Sequence, residues 1–218
     1  MTTIDNVLFD LDGTISDSYE GITKSVVYAL EKLGIAPPTD RTELRAFIGP
    51  PLWESFSRYY DLDADGATQA VKYYREYYSD RGMLDCTLYD GITEAIAALK
   101  GMNKKIILAT SKPEVAAVRI IEHFGLSKYF DYLAGASSDT SRVQKADVIA
   151  YAMQSAGITA ARTVMVGDRR HDAEGAKANG IKCIGVLYGY GSKTELISAG
   201  ADYIAETPKE IVSVIEAP

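Results

Sequence analysis

Apolar residues along the chain follow two different periods, and the places where the period changes divide it. Val7-Leu8-Phe9 is a continuous apolar run, the pattern of a strand buried on both faces. From Ser16 the spacing becomes helical. Ile22, Val26, Val27, Leu30 and Leu33 recur three or four residues apart up to Gly34, behind a Ser16-Asp17-Ser18 segment that offers capping side chains. Ala36-Pro37-Pro38-Thr39-Asp40 predicts a turn, residues 41–47 a short helix, and Ile48-Gly49-Pro50-Pro51 a break whose prolines suit the start of a new helix. Further helices are predicted over 52–60 and 65–79, and no strand-like alternation of any length occurs across 16–84. That block reads as an all-helical unit inserted behind the first strand.

Past Tyr89 the pattern alternates. Ile92, Ala95, Ile96 and Leu99 mark a helix, followed by a strand over 105–109, a helix over 115–124, a short strand over 132–134 and a helix over 146–156. Then come strands over 163–166 and 182–187 around a helix at 173–179, and a last strand and helix around Tyr203 and residues 210–215. Strands separated by helices of this length build βαβ units and a parallel sheet. The expected fold class is α/β: a Rossmann-like parallel-sheet core of residues 1–15 and 85–218, with an all-helical domain of residues 16–84.

Composition narrows the function classes. With 218 residues the chain is long enough for one large or two smaller domains, and 47% hydrophobic residues supply a core. Lys plus Arg number 23 against 30 Asp plus Glu, a net charge of -7, which argues against a nucleic-acid polymer or an anionic membrane as partner. Cys86 and Cys183 stand in no C-x-x-C spacing, so neither a zinc site nor a disulfide framework is indicated, and both read as small buried hydrophobes. A basic start followed by an apolar stretch is lacking, and no continuous apolar segment is long enough to span a bilayer. A cytoplasmic location is the expectation.

The chemistry gathers at the ends of apolar runs. Val7-Leu8-Phe9 leads into Asp10-Leu11-Asp12-Gly13-Thr14; strand alternation lets Asp10 and Asp12 point the same way, where two unpaired anions repel. A divalent cation is the simplest remedy, and Mg2+ favours carboxylates combined with phosphate oxygens. A second run, 163–167, ends in Asp168-Arg169-Arg170-His171-Asp172, and a third, 106–109, in Thr110-Ser111-Lys112. Lys145 opens the helix over 146–156. Ligands of open parallel sheets bind at the carboxyl ends of the strands, so these distant segments can converge on one crevice.

Asp10-Leu-Asp12-Gly-Thr, Thr110, Lys145 and Gly167-Asp168-Arg-Arg-His-Asp172, in that order, resemble the four motifs of the haloacid dehalogenase superfamily of phosphohydrolases. The resemblance runs from about Asn6 to Ala205, and the layout is similar to the phosphoglycolate phosphatase-like branch, whose helical cap the 16–84 block matches. It implies that Asp10 attacks phosphorus, that Asp12 serves as acid and then base, and that Thr110 and Lys145 hold the phosphoryl oxygens. It further implies Mg2+ bound by Asp10, the Asp12 carbonyl and Asp168, with Asp172 acting through water. Gly13 and Thr14 join Thr110, Ser111, Lys145 and Arg45 as candidate substrate contacts. The partner implied is a small phosphorylated metabolite, acted on by a monomer or homodimer. One departure is Lys145-Ala146-Asp147, where the family commonly has Lys-Pro. Dehalogenases of the superfamily typically lack the second acid, so Asp12 counts against that activity. Nothing marks Lys24 or Lys72 as the Schiff-base lysine of a phosphonate-cleaving member. A 5'-nucleotidase, a pyrophosphatase, a sugar-phosphate mutase and a non-catalytic phosphate-binding module stand as alternatives.

Other features have plainer readings. Tyr73, Tyr74, Tyr77 and Tyr78 fit a packing face better than a nucleobase platform. Ser111 and Lys112 either touch substrate or cap the next helix, and Arg45 with Gly49 and Pro50 forms either a substrate loop or a helix junction. His171 has acids on both sides of its motif that already supply the chemistry.

Overall fold

The structure, a computed structural model, describes residues 3–139 and 141–216. The chain divides into two compact units, Met1–Asp17 with Leu88–Pro218, and Ser18–Thr87. The four residues of β1 (Asn6–Phe9) are all buried, as a continuous apolar run requires. The next two strands, β2 (Ser16–Asp17) and β3 (Thr87–Leu88), form a separate two-stranded sheet. The remaining strands are β4 (Lys105–Pro113), β5 (Tyr132–Ala136), β6 (Thr163–Gly167), β7 (Lys182–Val186) and β8 (Tyr203–Ala205). Together with β1 they build one parallel sheet in the order β5-β4-β1-β6-β7-β8. The chain builds outward from β1 through β4 to β5, then returns to the other side of β1 for β6. The order therefore reverses beside β1, the place where such sheets open a ligand crevice.

In the helical unit α1 (Tyr19–Lys32), α2 (Leu52–Tyr60) and α3 (Ala64–Asp80) accompany a 3₁₀ helix over Arg41–Phe47 and a shorter one over Gly82–Leu84. Asp40 caps the first 3₁₀ helix by accepting from the Thr42 N–H. Phe47 meets Phe56 edge-on at 5.0 Å, Tyr28 packs on Tyr77, and Tyr74 stacks on Tyr78 at 5.3 Å. Those tyrosines are thus part of the unit's own packing. The α/β unit carries α4 (Ile92–Gly101), α5 (Glu114–His123), α6 (Lys145–Ala156), α7 (Arg170–Ala178), α8 (Lys193–Ala199) and α9 (Pro208–Glu216). Leu8 of β1 lies level with Ile107 and Met165. These join Val148, Ile149 and Ala152 of α6 and Ala173 and Ala176 of α7 in one buried cluster, which ties the strand carrying Asp10 to the helices carrying Lys145 and Asp172.

Several elements differ from the sequence expectation. Pairs of two residues cannot show a period, so β2 and β3 are invisible to pattern, and the units divide at 17/18 and 87/88 rather than at 15/16 and 84/85. The Ser18 side chain makes no capping bond at the start of α1. β4 runs four residues beyond Ala109, with a register shift between Ala109 and Pro113. α7 starts at Arg170 and α8 was not anticipated. Cys183 is buried, but Cys86 is only half-buried. No helix among the described residues is long and apolar enough to cross a membrane.

Candidate active site

The ends of β1, β4 and β6 and the start of α6 bring five side chains into one buried cluster. Asp10 follows β1, Thr110 lies past the apolar part of β4, Asp168 follows β6, Asp172 sits in the first turn of α7, and Lys145 opens α6. All five are buried. Asp10, Asp168 and Asp172 each offer a carboxylate oxygen within 4.8 Å of the other two. The Lys145 ammonium lies 2.7 Å from Asp10 Oδ1 and 2.8 Å from Asp172 Oδ1, and donates to the Ala109 carbonyl at 3.2 Å. Two glycines permit the approach. Gly13 has φ +87°, which an L side chain rarely adopts, and a Cβ there would overlap Asp168 Oδ2; a Cβ on Gly167 would overlap the Asp172 carboxyl.

The outer oxygens of the acids are tied down. Asp172 Oδ2 accepts from the Arg169 N–H at 3.0 Å, and Asp168 Oδ2 accepts from the Tyr190 N–H at 2.7 Å. Tyr190 is itself anchored, its hydroxyl donating to Asp17 at 2.6 Å, while the Tyr188 hydroxyl donates to the Thr14 carbonyl at 3.0 Å. The inner oxygens, Oδ1 of Asp10, Asp168 and Asp172, are buried without a directed hydrogen bond. The Lys145 contacts to two of them are therefore charge contacts off the hydrogen-bond direction.

Burial dominates the electrostatics. It raises the Asp10 carboxyl to about 6, against the opposing pull of Lys145 and with a further push from Asp172. Burial, then Asp172 and Asp10, holds Asp168 well above the usual carboxylate range. For Lys145 burial works downward, but Asp10 and Asp172 outweigh it and hold the ammonium charged. Three acids around one lysine leave negative charge uncompensated, and their unbonded oxygens are hard donors converging on one point. The residues present thus fit a divalent cation of the magnesium type.

Asp12 stands apart from this cluster. It is half-buried, and the Lys112 ammonium bridges its two oxygens at 2.9 and 2.6 Å. Lys112 does not cap α5, whose N-terminal Pro113 position has no side-chain capping bond. Sequence reasoning named Lys112 without this pairing, although Thr110-x-Lys112 repeats the spacing of Asp10-x-Asp12. The Tyr190 contact uses a backbone N–H and leaves no signal in side-chain pattern. Thr14 is fully buried with its hydroxyl unbonded, and Ser111 is half-buried between Thr110 and Lys112. Arg45 belongs to the helical unit, exposed, with its guanidinium 5.4 Å from the Tyr19 ring centroid. His171 is half-buried, its Nε2 unbonded and its ring held below the usual histidine range by burial and by Arg170.

Comparison with known proteins agrees on the family and names more than one activity among its relatives. Residues 7–186 match the haloacid dehalogenase-like hydrolase family. A 5'-nucleotidase of Pseudomonas aeruginosa is 44% identical over 191 residues, spanning 88% of this chain and 86% of that protein. The tyrosine-protein kinase PtkA of Mycobacterium tuberculosis is 41% identical over 207 residues, spanning 95% of this chain and 67% of that protein. The crystal structure of a predicted phosphatase from Clostridium acetobutylicum superposes with a TM-score of 0.93 at 46% identity, covering 98% of both chains.

Proposed function

The chain belongs to the haloacid dehalogenase-like hydrolase family and is a hydrolase of its phosphatase kind, and we propose that it cleaves a small phosphate monoester through an aspartyl-phosphate on Asp10, with Mg2+ as cofactor. The observation that carries this reading is the set of three buried, unbonded acid oxygens around a single lysine. Such an arrangement is costly unless a cation and a phosphoryl group complete it. Asp10, Asp168 and the Asp12 carbonyl would hold the ion, with Asp172 behind a water. Bound there, it neutralises charge between carboxylate and phosphate and orients both.

The residues divide the work. An Asp10 oxygen attacks phosphorus in line, so that an Asp10–phosphorus bond forms as the bond to the ester oxygen breaks. Asp12 gives a proton to the departing alkoxide and, then ionised, takes one from the water that attacks the aspartyl-phosphate, releasing phosphate and restoring Asp10. Thr110, a buried hydroxyl that pulls the Asp10 carboxyl pKa down, would donate to a phosphoryl oxygen. Lys145 supplies a compact cation to nucleophile and phosphate together.

For the substrate, phosphoglycolate and other small phosphorylated metabolites fit the sequence resemblance. A nucleoside 5'-monophosphate is favoured as a second reading by the name of the Pseudomonas relative. The test is phosphate release from an aryl phosphate and from a panel including 2-phosphoglycolate, nucleoside 5'-monophosphates and pyrophosphate, with Mg2+ and with chelator. Metal-dependent release that Asp10→Asn abolishes is expected. Hydrolysis undiminished in excess chelator would overturn the metal assignment, and turnover by Asp10→Asn would overturn the covalent one.

A further inference from the structure

The crevice contains a second lysine that the catalytic scheme above does not use. β1 and β4 are parallel neighbours, with Phe9 level with Leu108, and each runs out into two polar residues separated by one. Thr110 acts on Asp10, its hydroxyl pulling the carboxyl pKa down against burial, and two residues on, the Lys112 ammonium bridges both oxygens of Asp12. The strands therefore make two successive polar rungs. The second is nearly as buried as the first: the Lys112 side chain is 4% exposed and the Asp12 side chain 16%. The Lys112 backbone is fixed as well, its N–H donating to Thr110 Oγ1 at 3.2 Å. Gly135 leaves room for the Lys112 carbonyl, which lies 2.7 Å from where a Cβ on residue 135 would be. Ordering a four-carbon stem and an ammonium in this way costs rotamer freedom and solvation, and what it secures is the orientation of one carboxylate.

We propose that Lys112 is a positioning residue for Asp12, its ammonium bridging both carboxylate oxygens and so fixing the orientation in which that carboxyl meets the ester oxygen and, later, the attacking water. The inference rests on the reading of Asp12 as acid and base. It has a consequence that a purely structural role lacks. An alkoxide is a poor leaving group and needs Asp12 correctly placed; a nitrophenolate leaves without a proton. Water attack on the aspartyl-phosphate needs Asp12 whichever ester supplied the phosphoryl group.

The experiment compares Lys112→Met, Lys112→Arg and Asp12→Asn on a simple alkyl phosphate and on para-nitrophenyl phosphate, in saturating Mg2+. For Lys112→Met, kcat/KM on the alkyl ester is expected to fall by about 10- to 100-fold, and on the aryl ester by less than about threefold. Its kcat on the aryl ester falls as well, with a burst of nitrophenolate equal to the enzyme concentration. Lys112→Arg, whose guanidinium can also bridge a carboxylate, recovers part of the alkyl rate. Asp12→Asn shows the same alkyl-to-aryl ratio in stronger form. If Asp12→Asn shows that ratio and folded Lys112→Met lowers both esters equally, or neither, the positioning role is overturned while the proposed mechanism stands. If Asp12→Asn affects both esters alike, the acid–base reading fails and the inference fails with it. Should Lys112→Met not fold, Lys112→Gln reads the same ratio.

Discussion

The two units treat charge in opposite ways. The α/β unit buries Asp10, Lys112, Lys145, Asp168 and Asp172, whereas the helical unit, among the described residues, buries no charged side chain and fills its interior with Leu30, Leu44, Phe47, Phe56 and Tyr74. Burying a charge costs several kcal/mol unless a partner compensates it, on the order of magnitude known for such groups. A unit that accumulates five of them is organised around chemistry, at the expense of stability. The helical unit bears its charges at the surface, where substitution is tolerated. Reaction should therefore depend on the first unit and adjustable recognition on the second.

The largest effect is expected at Lys145. Lys145→Ala leaves the buried Asp10 and Asp172, which it now contacts at 2.7 and 2.8 Å, facing each other without a compensating cation side chain between them. Turnover of every ester should drop together by on the order of a thousandfold. In chelator, stability should fall by about 3 kcal/mol, measurable by urea unfolding. Loss confined to one substrate class would break the division between the units.

Metal removal should expose the cost of the acid cluster. Asp10 is raised to about 6 and Asp168 well above the usual range, chiefly by burial, so the folded chain holds protons that the unfolded chain has released. Stability from these groups is thus greatest below the unfolded carboxyl pKa of about 3.9 and is lost as pH rises through the folded values. In chelator, Tm should be lower at pH 7 than at pH 5, and Mg2+ should restore it at pH 7. His171, held low by burial, pulls the slope the other way, so the difference between the native chain and Asp168→Asn isolates the carboxylates. A native chain as insensitive to pH and Mg2+ as Asp168→Asn would refute the assignment of the cluster.

Gly13→Ala should act on the same cluster through the backbone. The positive φ costs about 1–3 kcal/mol for a side-chain-bearing residue, and the added Cβ would overlap Asp168 Oδ2. Mg2+ affinity, read by calorimetry, should weaken at least about tenfold, on the scale of a disturbed ligand shell. Unchanged affinity would mean that Asp168 lies outside the metal set.

Much of this was legible in the chain because a strand buried on both faces writes an unbroken apolar run, and the acids that end such a run stand out. Asp10, Asp168 and the elements behind them were read that way. The α8 helix carries a sequence signal at its start: Ser192 precedes Glu195 by three residues, and its side chain accepts the Glu195 N–H at 3.1 Å. β2 and β3 had none, since two residues carry no period. Lys112 was ambiguous because spacing along β4 shows which face a side chain shares but not which neighbour it meets. That partner is a tertiary fact, the ammonium meeting an Asp12 that lies 100 residues away and beyond the end of β1.

The smallest effect on chemistry, and the sharpest test of the comparison, belongs to Arg45. It is exposed on the 3₁₀ helix over Arg41–Phe47, and its contact with the Tyr19 ring is of the open cation–π kind, worth about 0.5–1 kcal/mol. Arg45→Ala should leave Tm nearly unchanged and turnover of an aryl phosphate within about threefold, because Asp10, Lys145 and Asp168 are untouched. If the helical unit selects the alcohol, the same variant shifts the ranking of kcat/KM among natural monoesters by about tenfold, mostly against anionic alcohols that a guanidinium would hold. An unaltered ranking removes Arg45 from substrate recognition and leaves it as part of a helix junction. Equal loss on every ester, aryl phosphate included, would instead make the helical unit part of the reaction and dissolve the contrast between the two.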